Sequence, residues 1–185
     1  MMKLRAFFVS ILLALLMACG AVPGEAGLPA EPIAPSELGP EVIAQNFFED
    51  LRAALKDPNI VHDEARGVWV EKLAGYFAPA ERDDQRAALR AALSSFANDI
   101  SELDPNQALT LELRFDGVEK LSDDGTRAMV RPINASIHLL IARTTETGKV
   151  ITEYEQQIGL NQIIGRADGA VPMVRVGGRW FLTEG

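Results

Sequence analysis

The chain has 185 residues, of which 48% are hydrophobic, and it carries 18 basic against 26 acidic side chains for a formal net charge of −8. Because the basic residues are scattered and outnumbered, the sequence predicts no extended phosphate-binding surface of the kind that nucleic-acid recognition needs, and nucleic acid is not expected as a partner. A single cysteine excludes an intrachain disulfide, so the fold must be stable through its hydrophobic core.

Residues 1–18 have the pattern of an export signal. Lys3 and Arg5 precede an uncharged apolar run from Ala6 to Ala18. This run of about 13 residues is shorter than the roughly 20 that a helix needs to cross a bilayer. The pattern therefore predicts a cleaved signal peptide rather than a permanent transmembrane helix.

The end of this run, Leu16-Met17-Ala18-Cys19, resembles the lipobox of bacterial lipoproteins. The resemblance implies cleavage before Cys19 and attachment of a lipid to its sulfur, which would anchor the chain to a membrane of the cell envelope on the extracytoplasmic side. Each methylene buried in the bilayer contributes about 0.8 kcal/mol to membrane binding. A protein with one acyl chain therefore binds the membrane reversibly, whereas one with two or three chains stays anchored. The alternative is an ordinary cleaved signal that leaves a free thiol.

Residues 19–40 are predicted to form a tether between the lipidated cysteine and the folded domain. They show no hydrophobic periodicity, and a segment of this composition cannot bury enough apolar surface to order itself. The remaining residues, 41–185, have a common size for a single domain. Five of the ten prolines lie in the tether, namely Pro23, Pro29, Pro32, Pro35 and Pro40.

Three helices are predicted in the first half of the domain, over 41–56, 68–77 and 80–100. Apolar residues in each recur about four positions apart, so that they share one face. Pro40 suits the first position of the first helix, and Asp57-Pro58 ends it. The residues expected on the buried faces are Ile43, Phe47, Leu51, Leu55, Trp69, Leu73, Tyr76, Phe77, Leu89, Leu93, Phe96 and Ile100.

The second half changes to a period of two, which is typical of half-buried strands. The first strand is predicted over 109–115, and a turn at Ser122-Asp123-Asp124-Gly125 leads into one long strand over 126–143. A turn at Thr147-Gly148 then leads into a strand over 149–160. Along the long strand we expect Ile133, Ala135, Ile137, Leu139 and Ile141 on one face and Asn134, Ser136 and His138 on the other.

The C-terminal region predicts a tight hairpin with strands over 171–176 and 179–183. Gly177-Gly178 lies between them, and glycine adopts the positive φ angles that such turns require. Residues 163–169 fit the pattern least well and are predicted to form a loop or an insertion. The order of elements is therefore three helices followed by an antiparallel meander.

This order, with the run Val171 to Leu182 (an apolar strand, a glycine turn, then Arg179, Trp180 and apolar residues), resembles the nuclear transport factor 2-like superfamily, or cystatin-like cone. The superfamily includes SnoaL-like cyclases, dehydratase-like enzymes and non-enzymatic extracytoplasmic domains. The resemblance implies an α+β fold in which three N-terminal helices pack on a curved antiparallel sheet around a conical pocket. Enzymatic members place an acid–base set, such as an Asp/His pair, in that pocket.

The two histidines are the natural candidates for a general base. His62 precedes Asp63, but neighbouring residues on a helix point about 100° apart, so Asp63 is poorly placed to orient it. His138 lies on the polar face of its strand, where a solvated or hydrogen-bonded role is expected. The sequence therefore predicts no catalytic residue.

The candidate pocket residues are Trp69, Tyr76, His138 and Trp180, although aromatic residues at helical or alternating spacing more often belong to a core. No metal site and no cofactor are predicted. The lone cysteine is committed to lipid, two histidines have no zinc-ligand spacing, and Asp123-Asp124-Gly125 offers too few oxygen ligands for calcium.

Taken together, these patterns favour a membrane-tethered, non-enzymatic domain that binds a small ligand or an envelope protein outside the cytoplasm. A small lyase or isomerase that uses the same pocket is the alternative, followed by a structural or dimerising envelope subunit. The membrane partner is the bilayer itself, through the lipid on Cys19, and a homodimer remains open. An exposed apolar patch on the outer sheet face, near Tyr154 and Leu140, would favour association.

Overall fold

The computed structural model describes residues 38–164 and 166–184. The predicted signal peptide, Cys19 and all but the last residues of the tether lie outside the described residues. Within the described ranges, no helix combines the length and apolarity that a membrane crossing requires.

Three helices form the first half: α1 (Pro40–Lys56), α2 (Asp63–Ala74) and α3 (Arg82–Ser101). Pro40 takes the first helical position as predicted, and α1 ends before Asp57-Pro58 because a residue before proline disfavours the helical conformation. Helix α1 contacts strands of both sheets described below, so its buried residues cover more than the predicted stripe. They are Pro40, Ala44, Phe47, Phe48 and Ala54.

Helix α2 differs from the prediction at both ends. It begins at Asp63 and ends at Ala74, so that Tyr76 and Phe77 are not helical. Instead, the backbone oxygen of Tyr76 accepts a hydrogen bond from the amide of Leu182 at 2.9 Å, and the amide of Ala78 donates to the oxygen of Leu182 at 2.9 Å. Residues 76–78 therefore cover the edge of the last strand.

Seven strands form two antiparallel sheets. The first contains β1 (Gln107–Arg114), β4 (Ser136–Thr144) and β5 (Val150–Gly159), in the order β1-β4-β5. The second contains β2 (Gly117–Asp123), β3 (Arg127–Ile133), β6 (Val171–Val176) and β7 (Arg179–Leu182), in the order β2-β3-β6-β7. Because β1 pairs with β4 and skips the β2–β3 hairpin, the predicted simple meander is wrong.

The predicted single strand over 126–143 is also wrong, because the chain passes from one sheet to the other at Asn134. Asn134 has a positive φ of 51°, a conformation that asparagine tolerates better than most residues. The buried positions change phase there, since Ile133 is 37% exposed. Buried residues are Ala128, Val130 and Pro132 before the change and Ile137, Leu139 and Ile141 after it.

The three predicted turns are confirmed. Gly125, Gly148, Gly177 and Gly178 all have positive φ angles between paired strands. The segment predicted as a loop over 163–169 contains the end of a short helix, α4 (Leu160–Ile164).

The two sheets and the helices share one hydrophobic core. Leu73, Leu113, Val130 and Met173 are each at most 1% exposed and belong to the same cluster. The edge of β1 faces α1, where Arg52 donates to the backbone oxygens of Leu113 at 3.1 Å and Phe115 at 3.3 Å. The predicted class is confirmed: three N-terminal helices pack against antiparallel sheet in an α+β domain.

Candidate functional site

An open cleft of about 470 Å³ lies on the outer face of the second sheet, where β3 pairs with β6. Met129 lies opposite Pro172 and Arg127 opposite Val174, so these four side chains share one face. Ala128 and Met173 alternate with them and are buried on the other face. Met129, Pro172 and Val174 thus form an apolar floor, and we call this site the β3–β6 cleft.

Two aspartates of the β2–β3 turn line one wall of the cleft, but the turn itself engages their oxygens. Oδ1 of Asp124 accepts hydrogen bonds from the amides of Thr126 at 2.8 Å and Arg127 at 2.7 Å. These bonds stabilise the charged form and lower the pKa of Asp124 to about 2. The amide of Gly125, and then Lys120, likewise lower the pKa of Asp123. Both carboxylates therefore stay ionised near neutral pH and are poor proton donors.

Two arginines supply the other charged groups. Arg166 Nε lies 3.6 Å from Asp168 Oδ1. Arg127 makes no ion pair with any other described residue. Guanidinium groups donate hydrogen bonds in a fixed planar fork and remain protonated, so they bind acceptor groups such as carboxylates and phosphates. The hydroxyls of Ser122 and Thr183 also line the cleft, which therefore presents hydrogen-bonding groups beside its apolar floor.

The four predicted pocket residues do not come together, and none lines the β3–β6 cleft. Trp69 and Tyr76 lie near each other on the helical side. Trp69 Nε1 donates to Asp57 Oδ2 at 2.7 Å, and the Tyr76 hydroxyl donates to Asp50 Oδ2 at 2.6 Å. Lys72 links them, since its Nζ lies 2.7 Å from Asp50 Oδ1 and 5.2 Å from the centre of the Trp69 ring.

Burial and the hydrogen bond to Asp50 raise the pKa of Tyr76 well above its ordinary value of 10. The folded state therefore holds this proton more tightly than the unfolded chain, and the stability that results is present below pH 10 and is lost as the pH rises further. We expect thermal unfolding scans to show a steeper loss of stability above pH 10 in the wild type than in Tyr76→Phe. Identical alkaline slopes would contradict this role of the hydroxyl.

Trp180 and His138 lie in different surroundings. Trp180 is 6% exposed and belongs to the core, with the guanidinium carbon of Arg175 5.8 Å from its ring centre. His138 lies on the polar face of β4, as predicted, with Nε2 2.8 Å from Glu155 Oε1 and Nδ1 3.5 Å from Arg114 Nη2. Because a guanidinium only donates, Nδ1 is assigned as the acceptor and Nε2–H as the donor to Glu155.

Two further expectations from the sequence have structural outcomes. Asp63 pairs with Arg66, so it does not orient His62. Leu140 lies on the outer face of the first sheet opposite Glu155, but Tyr154 lies opposite Ile141 and packs against the core, so its expected outer-face position is wrong. Among residues 38–164 and 166–184, no group of three or more acidic, histidine or cysteine side chains is arranged to hold a metal.

Sequence reasoning missed Arg127 and Arg166. These residues are far apart in the chain and meet only because β3 pairs with β6 rather than with the strand that follows it. No local motif marks either residue. The acidic residues that precede Arg127 are the one feature of the sequence that draws attention to this region, and they indicate a turn rather than a cleft.

No protein-family model and no curated protein matches the chain. Among solved structures, it is similar to Aln2 from a Streptomyces species, at 15% identity over 78% of this chain and 88% of that chain, with a TM-score of 0.35. A Catenulispora acidiphila structure has 15% identity over 76% and 84%, with a TM-score of 0.34. Another from that organism, in complex with S-DNPA, has 14% identity over 76% and 86%, with a TM-score of 0.35. Scores of this size carry no conclusion about function.

Proposed function

We propose that this chain is a lipoprotein of the cell envelope whose domain, tethered through a lipid on Cys19, binds a ligand in the β3–β6 cleft without catalysing a reaction. The observation that supports binding is the composition of the cleft. An apolar floor of Met129, Pro172 and Val174 lies beside the guanidinium groups of Arg127 and Arg166. Such a site suits a partly apolar ligand that carries hydrogen-bond acceptors.

The protonation states support the non-enzymatic part of this proposal. General acid–base catalysis needs a group whose pKa lies near the working pH. The cleft offers guanidinium groups, which stay protonated, and two aspartates with lowered pKa values. The alternative, a lyase or isomerase, is favoured by the 2.8 Å pair between His138 and Glu155, but this pair does not line the cleft.

The test is native mass spectrometry of the full-length chain, produced in a bacterial host that lipidates proteins and extracted in detergent. We expect loss of residues 1–18, an added diacylglyceryl mass on Cys19 and a further non-covalent mass. Val174→Trp fills the cleft and should remove the non-covalent mass. Val150→Trp is the matched control, because Val150 is 64% exposed on the other sheet.

The two halves of the proposal fail separately. An unmodified Cys19, with wild type and Cys19→Ser both in the soluble fraction, would refute the tether. A wild type without retained ligand, or a Val174→Trp variant that retains it fully, would refute the cleft as the binding site.

A further inference from the structure

Positive charge is concentrated on the second sheet, although the chain as a whole has 26 acidic against 18 basic residues. Arg127, Arg175 and Arg179 are exposed, and none of them forms an ion pair with another described residue. By contrast, Arg131 lies 2.6 Å from Glu119 and Arg166 lies 3.6 Å from Asp168. The acid excess supplies many carboxylates, so the three unpaired arginines do not reflect a shortage of partners.

The sequence of the β6–β7 hairpin shows the same bias. Residues 169–183 contain Arg175 and Arg179 but no aspartate or glutamate. Arg127 on β3 lies opposite Val174 on β6, which places it beside the hairpin. Because Val174 and Val176 alternate with Arg175 along β6, Arg127 and Arg179 share the outer face of the sheet, whereas Arg175 lies on the other face beside Trp180.

An exposed apolar side chain lies within this region. Val176 is 43% exposed at the tip of the hairpin and lies opposite Arg179. The turn after it, Gly177-Gly178, has φ angles of 56° and 82°, which makes a tight two-residue connection. On the other side of the tip, Arg175 Nε donates to the backbone oxygen of Gly178 at 3.2 Å. We call Arg127, Val176 and Arg179, which share the outer face, the basic hairpin face.

We propose that the basic hairpin face docks on the anionic lipid surface of the membrane that holds the tether, an inference that rests on the proposed lipidation of Cys19. Arginine binds phosphate oxygens through paired hydrogen bonds, and phosphate is the group that anionic phospholipid headgroups present. Each arginine close to such a surface favours binding about fivefold. The exposed Val176 adds an apolar contact at the level of the headgroups.

Docking orients the domain, while the tether attaches it. The segment from Cys19 to Leu38 reaches at most about 65 Å when fully extended, so the tether alone allows many orientations. The field of an anionic surface decays over about 8 Å at physiological salt, so only the face nearest the lipid responds to it. The basic hairpin face is attracted, and the carboxylates of the rest of the domain, including Asp123 and Asp124 beside Arg127, are repelled. Because Arg127 also lines the β3–β6 cleft, docking holds the cleft at the membrane surface.

The experiment uses the full-length lipidated chain with Val176→Cys, labelled with an environment-sensitive fluorophore. A lipidated Cys19 has no free thiol, so the label attaches only at position 176. The protein is reconstituted into vesicles of pure phosphatidylcholine and into vesicles that contain about 30% phosphatidylglycerol, a content that gives the surface the negative potential of an anionic leaflet. Val150→Cys, 64% exposed on the other sheet, is the matched control for label position.

We expect the fluorescence emission of the label at position 176 to shift to the blue in vesicles that contain phosphatidylglycerol. The shift should disappear in about 1 M salt, because charges are then screened within a few ångströms. The label at position 150 should show no shift. Arg127→Gln with Arg179→Gln should remove the shift, whereas Lys149→Gln, which changes an exposed cation in the turn between β4 and β5, should leave it intact. No difference between the two vesicle types, or an equal shift at position 150, would overturn the proposal. Shielding of position 176 in native envelope membranes but not in lipid vesicles would also overturn it, in favour of an acidic protein partner.

Failure of the tether is distinguishable from failure of docking. Without lipidation the protein does not float with phosphatidylcholine vesicles, and a second label appears on Cys19. With lipidation but no docking, the protein floats with both vesicle types and position 176 reports water in both.

Discussion

Leu113→Ala is expected to lower the free energy of unfolding by about 2–5 kcal/mol, the range for removing a large aliphatic side chain from a packed core. Leu113 is 1% exposed on β1, within the cluster that joins the helices to both sheets. Truncation removes its transfer free energy and leaves a cavity, since α1 and the sheet constrain each other and cannot close the space. Chemical denaturation with urea gives the change directly.

Leu121→Ala is the matched control for this prediction. Leu121 is 42% exposed on β2, so the same truncation there should change stability by less than about 0.5 kcal/mol. Equal losses for the two variants would show that Leu113 is not a core residue of the folded protein.

Asn134→Val is expected to destabilise the protein by about 2 kcal/mol, because it forces a β-branched residue into a left-handed conformation at the point where the chain changes sheets. Asn134 has a φ of 51°, and its Nδ2 donates to Asp116 Oδ2 at 2.7 Å. Valine disfavours the positive φ angle and loses the hydrogen bond. Thermal and urea unfolding, which should agree, measure the loss.

Asn134→Gly separates the two contributions. Glycine accepts the positive φ angle but cannot make the side-chain hydrogen bond, so its cost should stay below about 1 kcal/mol. If glycine destabilises the protein as much as valine does, the hydrogen bond to Asp116, and not the backbone conformation, is what position 134 contributes.

Helices α1 and α3 and the turns were predictable because their signals are local. Pro40 and Pro58 bracket α1, and Gly177-Gly178 gives the last hairpin. The change of sheet at Asn134 was not predictable in the same way. A strand of alternating residues continues on both sides of it, and a single positive φ angle reverses which residues are buried without altering the apparent period.

The candidate site was less predictable than the fold. His138 was placed on the correct face by alternation, because that rule depends only on its neighbours in the strand. The presence of Arg127 and Arg166 in one cleft depends on which strands pair, and the β1–β4 and β3–β6 pairings skip intervening strands. The hydrophobic pattern predicts which face of a strand is buried, but it does not predict which other strands pair with it.

If the chain is exported as proposed, the contact between residues 76–78 and Leu182 has a consequence for the order in which its parts fold. Tyr76 and Ala78 form backbone hydrogen bonds with Leu182 in β7, which lies more than half the length of the chain further along the sequence. A chain that crosses a membrane from its N-terminus onward therefore presents the helical part before the strand that completes it. Because long-range pairings form slowly, the emerging helices expose apolar surface until residue 182 arrives. A tether at the N-terminal end would hold that incomplete domain beside the bilayer during the interval.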